Sequence, residues 1–157
     1  AKCYQTVSMY KEDANEIARK VKSDIVYRDP PYNSRQDCSL YHVLENLAKW
    51  DKPLLYKDTA KPLTLGNKSQ YCTRNALAAF RDLVTAIDAR YIVVSYSNTY
   101  NAKSMTSNNK MTLEQIRQIL ELRGSTKVFA KDYNAYNAGK TDIDNHKEVL
   151  FITEVKR

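Results

Sequence analysis

The stretch Asp24-Ile25-Val26-Tyr27-Arg28-Asp29-Pro30-Pro31-Tyr32-Asn33 decides how the chain is read. Ile25-Val26-Tyr27 is an apolar run of β-branched and aromatic residues, so residues 24–28 are expected as a strand. Each of the two prolines that follow fixes φ and removes a main-chain N–H. Neither can extend a ladder or enter a helix interior, so the chain leaves the sheet in a stiff, extended loop. Carbonyls without local amide donors then face outward as acceptors. Asp29 adds a carboxylate at the turn point, and Tyr32 adds a flat stacking face. Two acceptors beside an aromatic plate suit a planar ring that carries an exocyclic amine. A strand that simply ends at a Pro-Pro turn is the alternative reading.

Upstream, Cys3 to Tyr10 alternate loosely and are expected as a short strand. Asp13 is expected to cap a helix, with Glu16 as its reciprocal partner. Ala14, Ile17, Ala18 and Val21 then form an apolar stripe at helical spacing. A strand–helix–strand unit this short implies parallel neighbours and a right-handed crossover.

Downstream, residues 33–74 form the longest insertion. Leu40, Val43, Leu44 and Leu47 stand at i, i+3, i+4 and i+7, an amphipathic helix expected to be capped by Ser39 and ended by Asp51-Lys52-Pro53. His42, one residue off that stripe, reads as structural. Lys57, Lys61, Lys68 and Arg74 alternate with Tyr56 and Tyr71, a mixture that can hold phosphates and stack bases or lie solvated on the surface. Arg35 and Gln36, a few residues past the prolines, are the stronger candidates for touching a nucleic acid.

A second helix is expected from Asn75 to Ile87, with Leu77, Phe80, Leu83, Val84 and Ile87 on its apolar face. It leads to the strand Tyr91-Ile92-Val93-Val94, whose continuous β-branched character suits a strand covered on both faces. The end of that strand, Ser95-Tyr96-Ser97-Asn98, is expected at the same sheet edge as Asp29. Thr112 with Gln115 makes a capping box for a third helix carrying Leu113, Ile116, Ile119 and Leu120, stopped at Gly124. Residues 126–132 and 148–155 read as two strands. Their link, Tyr133 to Lys147, is too short for a covering helix, so the pair is expected to be antiparallel.

A length of 157 residues suits one domain with a real core. The net charge of +7 permits a polyanionic partner without demanding one. Three widely spaced cysteines, Cys3, Cys38 and Cys72, contain no C-x-x-C pair and read as thiols of a reducing cytoplasm. No apolar run approaches membrane-spanning length, so no membrane partner is expected. The start at Ala1, inside an expected strand, suggests a fragment or a processed product.

The run DIVYRDPPYNSRQ resembles motif IV of the amino-group DNA methyltransferases, Asp/Asn/Ser-Pro-Pro-Tyr/Phe; Asp in the first place points to the adenine-N6 enzymes. YHVLENLAKWDKP, ARYIVVSYSNTYN and GKTDIDNHKEVLFITEV are similar to the D12-class DNA adenine methylases, and the resemblance covers nearly the whole chain. Two features depart from it. The glycine motif Phe-x-Gly-x-Gly, which serves S-adenosylmethionine, is absent, and Arg28 stands where an apolar residue is usual.

The resemblance implies an α/β fold: a class I methyltransferase-like (Rossmann-like) three-layer sandwich, here a partial sheet closed by a C-terminal antiparallel hairpin. Residues 1–157 are then a single partial catalytic domain with a DNA-contacting insertion at 33–74. The chain is expected to carry the third, fourth and fifth strands of that sheet and the final hairpin. Lacking the first two strands, residues 25–27 are expected at an open apolar edge. Such an edge pairs with a missing N-terminal segment or with a second copy.

The implied reaction is methyl transfer from S-adenosylmethionine to the N6 amine of a flipped-out adenine in double-stranded DNA, as in restriction–modification. Asp29, Pro30, Pro31 and Tyr32 are the implied catalytic corner. Asp13, Ala14 and Asp29 are assigned to the cofactor, and Asn33, Arg35, Gln36 and Tyr136 to the DNA or the flipped base; no metal is expected. Two alternatives remain: an RNA or other amino-group methyltransferase, and a catalytically silent nucleic-acid-binding fragment.

Overall fold

A computed structural model of the chain describes residues 6–58, 61, 68–99, 108–132 and 146–156. Helix α1 (Ala14–Lys20) begins where the Asn15 N–H donates to Asp13 Oδ1 at 2.8 Å, satisfying one of the orphan amides of a first turn. Its Ala14, Ile17 and Ala18 share a small apolar cleft with Leu83 and Ile87. Val21 turns extended, and β1 (Lys22–Arg28) follows at once.

The chain then passes through α2 (Asp37–Leu40), α3 (His42–Lys49) and a 3-10 turn at Gln70–Cys72, and reaches α4 (Ala76–Ala86). From α4 it enters β2 (Asp88–Ser97), which lies parallel to β1 with Ile25 opposite Tyr91 and Arg28 opposite Val94. The reach of chain between them is what a parallel pair requires. Helix α5 (Leu113–Glu121) opens with the expected reciprocal cap. There the Gln115 N–H donates to Thr112 Oγ1 at 3.1 Å and the Thr112 N–H to Gln115 Oε1 at 2.8 Å. Strands β3 (Gly124–Asp132) and β4 (Lys147–Val155) form the expected antiparallel hairpin, and β4 also pairs antiparallel with β2. The sheet order is β1-β2-β4-β3.

The core lies on one face. Ile92, Val94 and Tyr96 of β2, with Val149 and Phe151 of β4, pack against Phe80, Leu83 and Val84 of α4 and Ile116 and Leu120 of α5. Helices α1, α4 and α5 stand side by side over this face. Arg123 ties the layer together by donating to the Thr85 and Ile87 carbonyls at 2.7 and 2.8 Å, satisfying acceptors at the end of α4. On the opposite face Ile25 (60%), Tyr27 (59%) and Phe129 (54%) stay largely exposed, so no described helix covers them. Among the described residues β1 pairs only with β2, and its other edge is open.

Several expectations need correcting. Residues 6–10 of the expected first strand form no strand. Val7, Met9 and Tyr10 are exposed, because no described strand lies beside them to pair with; Cys3 itself lies outside the described residues. The sheet strands among the described residues are therefore four rather than five. Ser39 lies inside α2, and α3 starts at His42 after Tyr41, which gives it no side-chain cap. The α3 stripe exists but is uncovered: Leu40, Val43, Leu44 and Leu47 are all more than half exposed. Gly124 opens β3 instead of ending α5. A Cβ there would collide with the main-chain carbonyl of Glu154, so the close approach of two strands explains the glycine.

Candidate active site at the carboxyl edge of the sheet

β1 ends at Arg28, and the chain turns out of the sheet at Asp29, as two successive imino acids require. Pro30 is buried and Pro31 half-buried, while Asp29 and Tyr32 reach solvent. The corner is held by main-chain and phenol hydrogen bonds. The Tyr32 carbonyl accepts from the Lys110 N–H at 2.8 Å and from the Tyr96 hydroxyl at 3.3 Å. The Tyr96 ring meets the Tyr32 ring edge to face, with centroids 6.2 Å apart.

Ser95 lies beside the corner because the parallel register sets Arg28 against Val94. Its Oγ donates to Asp29 Oδ1 at 3.1 Å and accepts from the Tyr27 hydroxyl at 2.9 Å. Among the described residues nothing is hydrogen-bonded to Asp29 Oδ2, and Asp29 joins no ion pair. Asp29, Pro30, Pro31 and Tyr32, with Arg35 and Tyr41, line a concavity of about 370 Å³. That volume falls in the range of small-ligand sites, roughly 300–1,000 Å³. A larger concavity of about 640 Å³ sits at the amino ends of β1 and β2, around Lys22, Asp88 and Arg123. Sheets of this kind bind ligands at the carboxyl ends of their strands, so the smaller site is the relevant one.

The remaining candidates differ in their surroundings. Arg35 is exposed at the rim, its N–H bonded to Asn33 Oδ1 at 2.9 Å in a local turn. Gln36 is occupied: its Oε1 accepts from the Ser69 N–H at 2.8 Å and its Nε2 donates to the Ser69 carbonyl at 3.2 Å. The amide thereby splices the corner's exit loop to the 3-10 turn. Asp13 spends Oδ1 capping α1, beside Ala14. Tyr136 and the loop around it lie outside the described residues.

Tyr71, grouped in the sequence with the base-stacking aromatics, is instead buried. Its hydroxyl donates to Asn15 Oδ1 at 2.9 Å, and burial pushes its phenol well up from the usual range. Tyr56, Lys57, Lys61, Lys68 and Arg74 are exposed. His42 is structural, its Nδ1 lying 2.9 Å from the Ser39 carbonyl. Arg28 points to the α1 side, where its Nε is buried without a hydrogen-bond partner among the described residues. Cys38 and Cys72 are free thiols.

Glu148, a residue not singled out from sequence, is an acidic neighbour of the corner. Burial pushes its carboxyl above the usual range; His146 opposes that shift and the charge of Asp29 adds to it. No group of three or more His, Cys, Asp or Glu among the described residues is placed to hold a metal ion. No described helix is long and apolar enough to cross a membrane.

Fold and site together define a mixed α/β protein with an Asp-Pro-Pro-Tyr corner at the carboxyl end of a parallel strand. The chain belongs to the D12 class of N6 adenine-specific DNA methyltransferases, whose family model matches residues 2–113. It is 38% identical over 133 residues to the modification methylase StsI of Streptococcus sanguinis, covering 83% of this chain and 20% of that protein. It is 32% identical over 140 residues to the type II methyltransferase M.NlaIII of Neisseria lactamica, covering 88% of this chain and 39% of that protein. The type II methyltransferase M.CviAII of Paramecium bursaria Chlorella virus 1 is 29% identical over 154 residues, covering 97% of this chain and 43% of that protein. The chain thus spans less than half the length of each of these relatives. No solved structure matches it significantly.

Proposed function

We propose that the protein carrying this chain is a site-specific DNA adenine-N6 methyltransferase and that the Asp29–Tyr32 corner is its amine-binding site. The observation that carries this reading is the state of Asp29: anchored through Oδ1 to Ser95, it lines a ligand-sized concavity beside Pro30, Pro31 and Tyr32.

Adenine N6 is a weak nucleophile because its lone pair is delocalised into the ring. Asp29 Oδ2 and the Pro30 carbonyl accept the two N6–H bonds. They favour a pyramidal nitrogen and stabilise the positive charge that grows on it, an electrostatic role of the oxyanion-hole kind with inverted sign. Glu148 is a second carboxyl near Asp29, a neighbour that suits a growing positive charge. Proton loss follows transfer, so no strong dedicated base is needed. Tyr32 stacks on the base, its ring already set by Tyr96. A base inside a duplex cannot reach this concavity, so the adenine is flipped out.

S-adenosylmethionine is the methyl donor in this reading and supplies an electrophilic methyl group when bound. The carboxylates present suit such a cationic, hydroxyl-bearing group: among the described residues, Asp13, next to Ala14, and Asp29 each have only Oδ1 hydrogen-bonded. Exposed Arg35, with Asn33 and Gln36 on the loop it springs from, faces double-stranded DNA. The basic residues of the 33–74 insertion add phosphate contacts. Tyr136 is assigned to the flipped base.

The open edge of β1 and the exposed Ile25, Tyr27 and Phe129 face are where further chain docks. A missing N-terminal segment that adds a strand and a second helical layer would complete a three-layer sandwich; a second copy is the competing occupant. The test is to incubate the whole protein with labelled donor and duplex DNA, then digest the DNA to nucleosides. N6-methyl-2′-deoxyadenosine as the only methylated nucleoside supports the reading. Methylated cytosine, or label on RNA alone when RNA is offered in a parallel reaction, would overturn it.

A further inference from the structure

Resting on the reading of Asp29 above, we propose that Ser95 is a positioning residue. Oriented by the Tyr27 hydroxyl, it fixes which carboxylate oxygen of Asp29 faces the amine. The three side chains share one face of the sheet. Tyr27 stands on β1 two residues before Asp29, which lies just past the strand's end, and Ser95 follows Val94, the β2 partner of Arg28.

The proton inventory gives the chain of bonds a direction. The single Ser95 hydroxyl proton goes to Asp29 Oδ1 across 3.1 Å. The Ser95 oxygen accepts from the phenol of Tyr27 at 2.9 Å, which favours the rotamer that aims its proton at Asp29. A carboxylate beyond the end of a strand otherwise rotates about two side-chain bonds. Tied through Oδ1 to a residue inside a paired strand, it presents Oδ2 at a fixed angle to the concavity. Sites supported from rigid elements in this way hold productive geometry better than loops do.

Sequence offers a bland account of each residue alone: a strand tyrosine on an exposed face and a serine near a strand end. The bonds to each other and to Asp29 are what remove it. Ser95 touches no reacting atom, so its loss should misplace the amine without removing an amine acceptor. Losses of that kind fall mainly on the chemical step, because misplacement by about 1 Å can cost on the order of a hundredfold.

The experiment is steady-state and single-turnover methylation by the whole protein carrying Ser95→Ala, Ser95→Thr, Tyr27→Phe or Asp29→Ala, with thermal melting as a fold control. Ser95→Ala is expected to lower kcat by about ten- to a hundredfold while KM for DNA changes less than about threefold. Ser95→Thr, which keeps the hydroxyl, should recover most of the rate. Tyr27→Phe should cost a smaller factor, and Ser95→Ala should add nothing in an Asp29→Ala background. Ser95→Ala at wild-type kcat, with Asp29→Ala inactive, overturns the positioning role and leaves the site reading intact. Asp29→Ala at wild-type kcat overturns the site reading itself. A Ser95→Thr variant that folds normally yet is as slow as Ser95→Ala also counts against the relay.

Discussion

The Tyr96 hydroxyl sits between two strangers in sequence: it donates to the Tyr32 carbonyl at 3.3 Å and accepts from the Met111 N–H at 3.3 Å. One buried phenol thus joins the end of β2, the Pro-Pro corner and the entry to α5. A stiff corner needs such an anchor, because proline supplies no amide of its own with which to hold it.

Tyr96→Phe removes that anchor while keeping the ring. The Tyr32 carbonyl retains its bond from Lys110, but the buried Met111 N–H loses its partner. A cost of about 1–3 kcal/mol is expected, the usual penalty for a buried group left unsatisfied. Urea unfolding measures it, and methylation should fall further than the lost stability accounts for.

Arg35 and Gln36 should separate cleanly. Arg35→Ala is expected to weaken DNA binding and to lower the slope of log affinity against log salt by about one, as for one lost phosphate contact. Gln36→Ala breaks both bonds to Ser69 and should cost about 1–2 kcal/mol of stability with the salt slope unchanged. DNA titrations at several salt concentrations check the first, and denaturant unfolding checks the second.

Gly124→Ala is expected to destabilise the hairpin by at least about 2 kcal/mol, since the added methyl meets main chain that cannot swing aside. Loss of thermal midpoint without loss of DNA affinity per folded molecule would fit a purely structural role.

The surface pair of Asp82 and Arg19 gives a pH signature. The hydrogen bond from Arg19, and then that from Asn15, holds the Asp82 carboxyl below its ordinary range. The unfolded chain therefore takes up that proton at a higher pH than the folded one. The stabilisation is complete above the ordinary carboxylate range and is lost as pH falls through the depressed folded value. Both side chains are well exposed, so the effect is small. The thermal midpoints of wild type and Asp82→Asn should converge as pH drops below about 4; a gap that widens on acidification would contradict the assignment.

Local chemistry made part of this structure legible in sequence. The apolar run ending at Asp29-Pro30 gave β1 and its corner, because proline geometry leaves few choices. Thr112 with Gln115 gave the start of α5, because capping is a short-range bond. What stayed hidden depends on contacts between distant segments. The spacing of Leu40, Val43, Leu44 and Leu47 says which residues share a face of α3, not whether anything covers that face. Tyr71 and Tyr56 look alike in a basic, aromatic stretch, yet only Tyr71 meets Asn15 and is buried. The amide of Gln36 reads as a hydrogen-bonding hand for DNA, and its bonds to Ser69, 33 residues away, could not be read from the sequence. Ser95 had a usable signal: a parallel neighbour ending at the same edge must set some side chain against Asp29.

The most direct measurement of the central claim is single-turnover transfer of methyl to adenine by the whole protein, wild type against Asp29→Ala, at saturating donor and DNA. If Asp29 and the Pro30 carbonyl make the amine reactive, the rate should fall by at least about a hundredfold with melting temperature and DNA affinity preserved. An Asp29→Ala protein that methylates adenine at the wild-type rate would contradict it.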